Sequence, residues 1–191
     1  MEKITMIKGF KQFNEEKSKS VVFTFGRFNP PTTGHEKLLI KVASLAIGND
    51  YKIFASQTNN PKKDPLQYKE KVMLMRKMFP KHGRNIVLEP NVKNAIDALV
   101  YLYDRGYTKA TMVVGADRIS DFKTLLNKYN GVKARHGFYE FTDGISIVSA
   151  GDRDPDADDV SGMSASKMRA AAIAGDFQSF ANGLPKSFGD K

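Results

Sequence analysis

The sequence contains no cysteine among its 191 residues, which excludes disulfides, thiolate nucleophiles and cysteine-ligated zinc or iron–sulfur centres. The absence of cysteine also fits a reducing compartment. No apolar run approaches the roughly 20 residues that cross a bilayer. The N-terminal lysines are not followed by the apolar stretch of a secretory signal. These absences predict a cytoplasmic protein without a membrane partner.

Acidic residues are outnumbered by basic ones, 21 to 30, so the formal net charge is +9. Such an excess predicts attraction to nucleic acid, to an anionic surface or to phosphorylated small molecules. The sequence shows no recognition helix and no RNA-binding motif, so nucleic acid is the least favoured of these partners. A nucleic-acid binder would show affinity that falls steeply with salt concentration.

Residues 1–19 are predicted to form an arm and linker before the domain. Ile4, Ile7, Phe10 and Phe13 recur about every three residues, which indicates a short amphipathic helix. Residues 14–19 form a polar linker, and residues 20–191 are predicted to be one domain.

Short apolar runs alternate with helical patterns through the rest of the chain. This alternation predicts a Rossmann-like, doubly wound α/β fold with a parallel sheet of five to six strands and helices on both faces. Strands are expected at 21–25, 51–55, 86–88, 110–114 and 145–148, with a further one at 139–141. Helices are expected around 38–46 and at 67–79, 92–103, 119–129, 168–174 and 177–181.

Ligands of such sheets bind beyond the carboxyl ends of the strands, so the loop after the first strand is the first candidate site. In this loop Gly26 allows a tight turn, and Gly34 lets the backbone approach a ligand. The following helix start is expected to offer unpaired N–H groups that suit phosphate. Thr32 and His35 lie at the same place as hydrogen-bond donors.

A second candidate is the helix start at residues 161–169. Ser164 is a good N-cap, and Ser166, Lys167 and Arg169 follow it closely. Cations at a helix N-terminus oppose the helix dipole, which a bound polyphosphate would explain. The alternative is a capped helix whose basic side chains are simply solvated.

The remaining polar segments have weaker interpretations. Gly115-Ala116-Asp117 follows a strand, where Asp117 either contacts the hydroxyls of a sugar or caps a helix. The acidic segment 152–159 is predicted to be a solvated loop, with Mg²⁺ binding or a lid as alternatives. His82 and His136 lie in turns and are predicted to be solvated.

The first and second segments resemble motifs of the nucleotidyltransferase superfamily of the His-x-Gly-His type. The family pattern Gly-x-Phe-x-Pro-x-(His or Thr)-x-Gly-His is matched in its threonine version by Gly26, Phe28, Pro30, Thr32, Gly34 and His35. The later Ile-Ser-(Ser/Gly)-Thr-x-x-Arg motif is matched by Met163, Ser164, Ala165, Ser166 and Arg169, with Met, Ala and Ser as departures. Gly115-Ala116-Asp117 is similar to a tripeptide at this place in nicotinamide or nicotinate mononucleotide adenylyltransferases.

The resemblance implies direct transfer of AMP from ATP to a phosphorylated acceptor, with release of pyrophosphate. His35 would donate to the α-phosphate, Thr32 would help to place a phosphate, and Arg169 would neutralise pyrophosphate. The implied nucleotide-binding residues are Gly26, Phe28, Gly34, Gly115, Asp117, Ser164, Ser166 and Lys167. Mg²⁺ would arrive on ATP, largely ligated by water, and no metal-binding residue of the protein is expected.

These motifs do not identify the acceptor substrate. Arg27 and the Gly115-Ala116-Asp117 segment favour nicotinamide mononucleotide, and hence a step of NAD biosynthesis. Thr32 favours phosphopantetheine, and cytidylyl transfer to a phosphorylated alcohol is a third alternative. Self-association is expected only by analogy with relatives.

The arm has a resemblance of its own. Phe10, Phe13 and Glu16 match the Phe-x-x-Phe-x-x-Glu leaders of proteins carried into the heads of tailed phages. The whole chain also resembles nucleotidyltransferase-like proteins of large tailed phages. This resemblance implies association with a phage capsid or core, and a location in the host cytoplasm or the virion. It also gives the second function class, a virion-associated nucleotide-binding protein without turnover.

Overall fold

The computed structural model describes residues 18–151, 163–185 and 188. The predicted amphipathic arm and the acidic segment 152–159 lie outside these residues. Five parallel strands form one sheet in the order β3-β2-β1-β4-β5. Their bounds are β1 Ser20–Gly26, β2 Asp50–Ala55, β3 Ile86–Val87, β4 Lys109–Val114 and β5 Ile145–Ser149. The predicted Rossmann-like α/β fold is confirmed.

Six α-helices are present in the described part of the chain. They are α1 Thr33–Leu45, α2 Tyr68–Met78, α3 Ala95–Tyr103, α4 Ile119–Lys128, α5 Ala165–Ala174 and α6 Phe177–Ala181. None of the helices in the described ranges is long and apolar enough to span a membrane.

Side chains that alternate along the strands pack against helices on the two faces of the sheet. Val21 and Phe23 of β1 pack in one core with Leu99 of α3 and Leu126 of α4. Val22, between them in sequence, faces the opposite side and packs with Val42 of α1. The period of two along a strand thus distributes the helices over both faces of the sheet.

The order of the strands reverses beside β1, and this reversal determines where a ligand site is expected. β1 pairs with β2 on one side and with β4 on the other, with Phe23 opposite both Lys52 and Met112. The loops after β1 and β4 therefore leave the same edge of the sheet at its switch point, where open α/β sheets bind ligands.

Of the predicted elements whose bounds differ from the structure, two differ because of side-chain hydrogen bonds. Residues 139–141 form no strand: the Tyr139 hydroxyl donates to the Leu126 carbonyl at 2.7 Å, and the Phe141 N–H donates to Asn130 Oδ1 at 2.9 Å. Helix α3 begins at Ala95 rather than at 92, because the Asn94 side chain accepts from the N–H groups of Ile96 and Asp97. Side-chain hydrogen bonds therefore set both boundaries.

Candidate functional site

The loop between β1 and α1 is shaped around the buried ring of Phe28. This residue has φ +48°, and its ring centroid lies 4.8 Å from that of His35. A Cβ atom on Gly26 would lie 2.9 Å from the Phe28 ring, so glycine at 26 leaves the space that this ring occupies. Sequence reasoning assigned the tight turn to Gly26, whereas the left-handed backbone conformation belongs to Phe28.

Thr32 and His35 hold one another through a reciprocal cap at the start of α1. The Thr32 N–H donates to His35 Nδ1 at 3.0 Å, and the His35 N–H donates to Thr32 Oγ1 at 3.3 Å. An Nδ1 atom that accepts a hydrogen bond leaves the proton of a neutral imidazole on Nε2. Thr32 is only 2% exposed, so its contribution in this structure is to orient His35. Its contact with a phosphate stays a prediction.

The start of α1 offers fewer unpaired N–H groups than expected. The Thr33 N–H donates to the Gly183 carbonyl at 3.0 Å, and the His35 N–H is used by the cap. The Gly34 N–H has no hydrogen-bond partner among the described residues. A Cβ atom on Gly34 would lie 3.6 Å from Thr32 Oγ1, an ordinary contact, so the protein's own packing does not demand glycine there.

Asn29 joins three segments of the site, and sequence reasoning did not single it out. Its side chain donates to the Leu66 carbonyl at 3.2 Å and accepts from the Leu66 N–H at 3.1 Å. Its backbone carbonyl accepts from Arg169 Nη1 at 2.7 Å. Asn29 is 1% exposed, so these bonds are shielded from water. A polar residue between an aromatic residue and a proline was the available signal, but its partners are distant in sequence.

Lys71 lies in the first turn of α2, five positions after Leu66. Its ammonium group is fully buried and has no hydrogen-bond partner in the described part of the chain. Burial lowers the pKa of Lys71 to about 8, against the opposing attraction of Asp64. This buried ammonium group was not expected from the sequence.

Helix α5 carries the second predicted motif. Ser164 is its N-cap, as expected, and accepts from the Lys167 N–H at 3.2 Å. Arg169 Nη2 donates to Ser166 Oγ at 3.2 Å. Ser164, Ser166 and Lys167 are exposed, whereas Arg169 is partly buried.

The Arg169–Asn29 bond brings the two predicted motifs together across 140 positions of sequence. We call this meeting point, formed by residues 26–35, Leu66 and Arg169, the junction. A positive guanidinium thus lies against the loop that holds His35. Such an arrangement can stabilise negative charge on phosphate groups without a covalent intermediate.

The third segment lies at the neighbouring strand end. Residues 116–118 form a short 3₁₀ turn after β4, and Asp117 is exposed. A Cβ atom on Gly115 would lie 2.7 Å from Asp117 Oδ1, so the carboxylate folds back over the glycine. Asp117 does not cap α4, whose N-cap is Arg118. No hydrogen bond between described residues links 115–117 to the junction.

A cavity of about 300 Å³ opens between the end of β1, the start of α3, and α4. We call it the α3–α4 cavity. It is lined by Phe25, Asn94, Ala95, Ile96, Phe122, Leu125 and His136. Phe25, which lines this cavity, directly precedes Gly26 of the junction.

Of the two remaining histidines, His136 lies in a turn and is partly exposed, whereas His82 is not the solvated turn residue that the sequence predicted. His82 is buried, and its Nδ1 lies 3.1 Å from the Tyr51 hydroxyl. Burial, with a smaller contribution from Lys81, lowers the pKa of His82. His136 lines the α3–α4 cavity. Tertiary packing around residues 80–85, which local sequence does not encode, explains the burial of His82.

No group of three or more histidine, aspartate or glutamate side chains in the described ranges could hold a metal ion. Acidic oxygen ligands are the groups that Mg²⁺ takes from proteins.

Comparison with known proteins agrees with this architecture. The chain shares its fold with the bifunctional NMN adenylyltransferase/ADP ribose pyrophosphatase from Francisella tularensis, at a TM-score of 0.50 and 15% sequence identity. The match covers 82% of this chain but only 43% of the Francisella chain. No curated protein matches the chain. The family model described as cytidylyltransferase-like matches residues 23–171, and the chain therefore belongs to this family of nucleotidyltransferases.

Proposed function

We propose that this protein transfers AMP from ATP, bound with Mg²⁺, to nicotinamide mononucleotide and releases pyrophosphate. The observation that carries the proposal is the 2.7 Å hydrogen bond from Arg169 to the Asn29 carbonyl, which joins the late helix to the loop of His35. A triphosphate whose α-phosphate meets His35 would then extend its β- and γ-phosphates toward α5.

In the proposed reaction, an oxygen of the acceptor phosphate attacks the α-phosphorus of ATP. The new P–O bond forms as the bond from the α-phosphorus to the bridging oxygen breaks, and that electron pair leaves with pyrophosphate. The protonated Nε2 of His35 donates to the α-phosphate, and Arg169 with Lys167 balances the charge of the leaving group. Positioning and charge stabilisation are sufficient for transfers of this kind.

The choice of acceptor is supported by the α3–α4 cavity. Phe25 and Phe122 give it aromatic walls, and Ile96 and Leu125 add apolar surface. Nicotinamide mononucleotide carries a planar, positively charged pyridinium ring, which aromatic faces attract. The extended chain of phosphopantetheine and the small headgroup alcohols have no ring that would use such walls.

A substrate panel tests the proposal. Purified protein is given ATP or CTP with nicotinamide mononucleotide, nicotinate mononucleotide, phosphopantetheine or glycerol phosphate, and pyrophosphate release is measured. We expect turnover with ATP and a pyridine mononucleotide. Turnover only with CTP or with phosphopantetheine would overturn the acceptor assignment. No turnover with any pair, together with ATP binding by calorimetry, would favour a nucleotide-binding protein without catalysis.

A further inference from the structure

Lys71 carries a buried charge that does not stabilise the fold. Its side chain is 0% exposed, and its Nζ atom has no hydrogen-bond partner among the described residues. The ion pair found in the described ranges joins Arg118 and Asp121, so Lys71 has no direct carboxylate partner there. A buried ammonium group without a hydrogen bond costs free energy. A cation in the first turn of α2 also opposes the helix dipole, so this charge is expected to serve a function.

Asp64 is the charged group that acts on Lys71. It is 8% exposed, and its attraction opposes the effect of burial on the pKa of Lys71. Charges that are shielded from water are screened less by salt than exposed ones. Because Nζ makes no direct contact with a carboxylate, the attraction draws Asp64 toward α2 without a hydrogen bond between them.

Hydrogen bonds tie Asp64 firmly into the loop formed by residues 59–66. Its N–H donates to the Asn60 carbonyl at 2.8 Å, and its carbonyl accepts from the Asn60 N–H at 2.9 Å. The Asn59 side chain donates to the same Asp64 carbonyl at 3.3 Å. A force on Asp64 therefore acts on this loop as a unit.

The same loop contacts the junction two positions after Asp64. Leu66 gives its N–H and its carbonyl to the Asn29 side chain, at 3.1 and 3.2 Å. Pro65, between Asp64 and Leu66, has a fixed φ and transmits the position of one to the other. The Asn29 carbonyl in turn accepts from Arg169 at 2.7 Å. A chain of contacts thus runs from Asp64 to the guanidinium of the junction.

From these observations we infer that Lys71 is a positioning residue, whose charge holds Asp64 and thereby places Leu66 and Asn29 in the junction. The effect on catalysis rests on the proposed function. Lys71 touches no substrate and acts only through the loop. Its charge lowers the stability of the fold and makes the site more precise.

Stability and kinetics measured together test the inference. Lys71→Met removes the charge and keeps an unbranched side chain in the core. We expect its urea midpoint at pH 7 to exceed that of wild type, while kcat with ATP and nicotinamide mononucleotide falls on the order of tenfold. Lys69→Met, an exposed change in the same helical turn, should alter neither quantity. Wild-type kcat in Lys71→Met, or a fall in its stability together with kcat, would overturn the inference.

A double-mutant cycle tests whether Asp64 is the partner. Asp64→Asn removes the attracting charge and nearly keeps the volume of the side chain. It should lower kcat by about the same factor as Lys71→Met, and the double variant should be no slower than either single variant. Losses that multiply in the double variant would show that the two side chains act independently, which contradicts the inference.

Hydrogen exchange without substrates separates this inference from the proposed reaction. The Leu66 amide should exchange on the order of tenfold faster in Lys71→Met than in wild type, because its bond to Asn29 opens more often. The Ile96 amide, bonded to Asn94 in the cap of α3, should be unchanged. Unchanged exchange at Leu66 would overturn the inference. If Leu66 exchanges faster but wild type releases no pyrophosphate, the proposed reaction fails while the positioning of the loop by Lys71 stands.

Discussion

The junction and the α3–α4 cavity lie on either side of the end of β1, yet different forces organise them. The junction is a set of polar contacts in which Asn29, Thr32 and His35 are each hydrogen-bonded within the protein. The cavity has mainly apolar walls, and Asn94 and His136 are the polar residues in its lining. Under the proposed function, the junction would stabilise charge and the cavity would receive the ring of the acceptor.

The largest expected effect comes from His35. His35→Ala removes the proposed donor to the α-phosphate, and loss of one such donor lowers kcat by about 10²–10³. Steady-state pyrophosphate release measures this effect, and thermal unfolding checks that the fold survives the loss of the cap. Lys37→Ala, an exposed change on the same helix, should keep wild-type kcat. Wild-type turnover in folded His35→Ala would show that the junction does not carry the chemistry.

A smaller loss is expected from Asn29→Asp. A carboxylate can still accept from the Leu66 N–H but cannot donate to the Leu66 carbonyl, against which it is repelled. The loop should shift, and small misplacements in a site can lower kcat on the order of tenfold to a hundredfold. We expect kcat to fall more than the KM for the acceptor rises. Equal kinetics in Asn29→Asp and wild type would show that the Asn29 side chain does not position the residues of the junction.

A substitution in the α3–α4 cavity should change the KM for the acceptor rather than kcat. Phe122→Ala removes an aromatic wall, so the KM for nicotinamide mononucleotide should rise about tenfold. The kcat should stay near wild type because the junction is unchanged. Leu88→Ala, an exposed apolar residue that does not line the cavity, is the control. A fall in kcat without a change in KM would erase the distinction between the two regions.

The smallest effect concerns the stability of the fold around the buried ammonium group of Lys71. Burial lowers the folded-state pKa of Lys71 to about 8, below its ordinary value of 10.5. The unfolded chain therefore binds more protons between these values, so the free energy of unfolding should rise with pH from about 8. Urea unfolding of wild type and Lys71→Met at pH 7.5 and 9.5 measures this rise, and the comparison with the variant removes the contributions of the other groups that titrate in this range. Wild type should gain stability relative to Lys71→Met, and parallel pH curves would contradict the account.

The sequence predicted the fold and the two motifs of the junction because these depend on local patterns. Alternating apolar runs specify parallel strands and crossover helices, and Ser164 is a cap that can be read directly from its neighbours. Residues 139–141 were wrongly predicted to be a strand. They are held by hydrogen bonds that involve side chains, to Leu126 of α4 and to Asn130 in the loop after it, and not by pairing with another strand.

Features that depend on distant partners could not be predicted. The role of Asn29 appears only when Leu66 and Arg169 are folded against it, and the burial of Lys71 depends on how α2 packs. His136 lies in a turn, as predicted, but its exposure is reduced because the rings of Tyr129 and Tyr139 pack beside it. Sequence patterns therefore identified the two motifs that meet at the junction and missed the contacts that only the folded chain creates.

The proposed nucleotide site is tested most directly by a crystal structure of the protein with a non-hydrolysable ATP analogue and Mg²⁺. We expect the α-phosphate within hydrogen-bond distance of His35 Nε2, and the β- and γ-phosphates beside Ser164, Ser166 and Arg169. A nucleotide bound with its phosphates away from α5, or with the imidazole of His35 directed elsewhere, would contradict it.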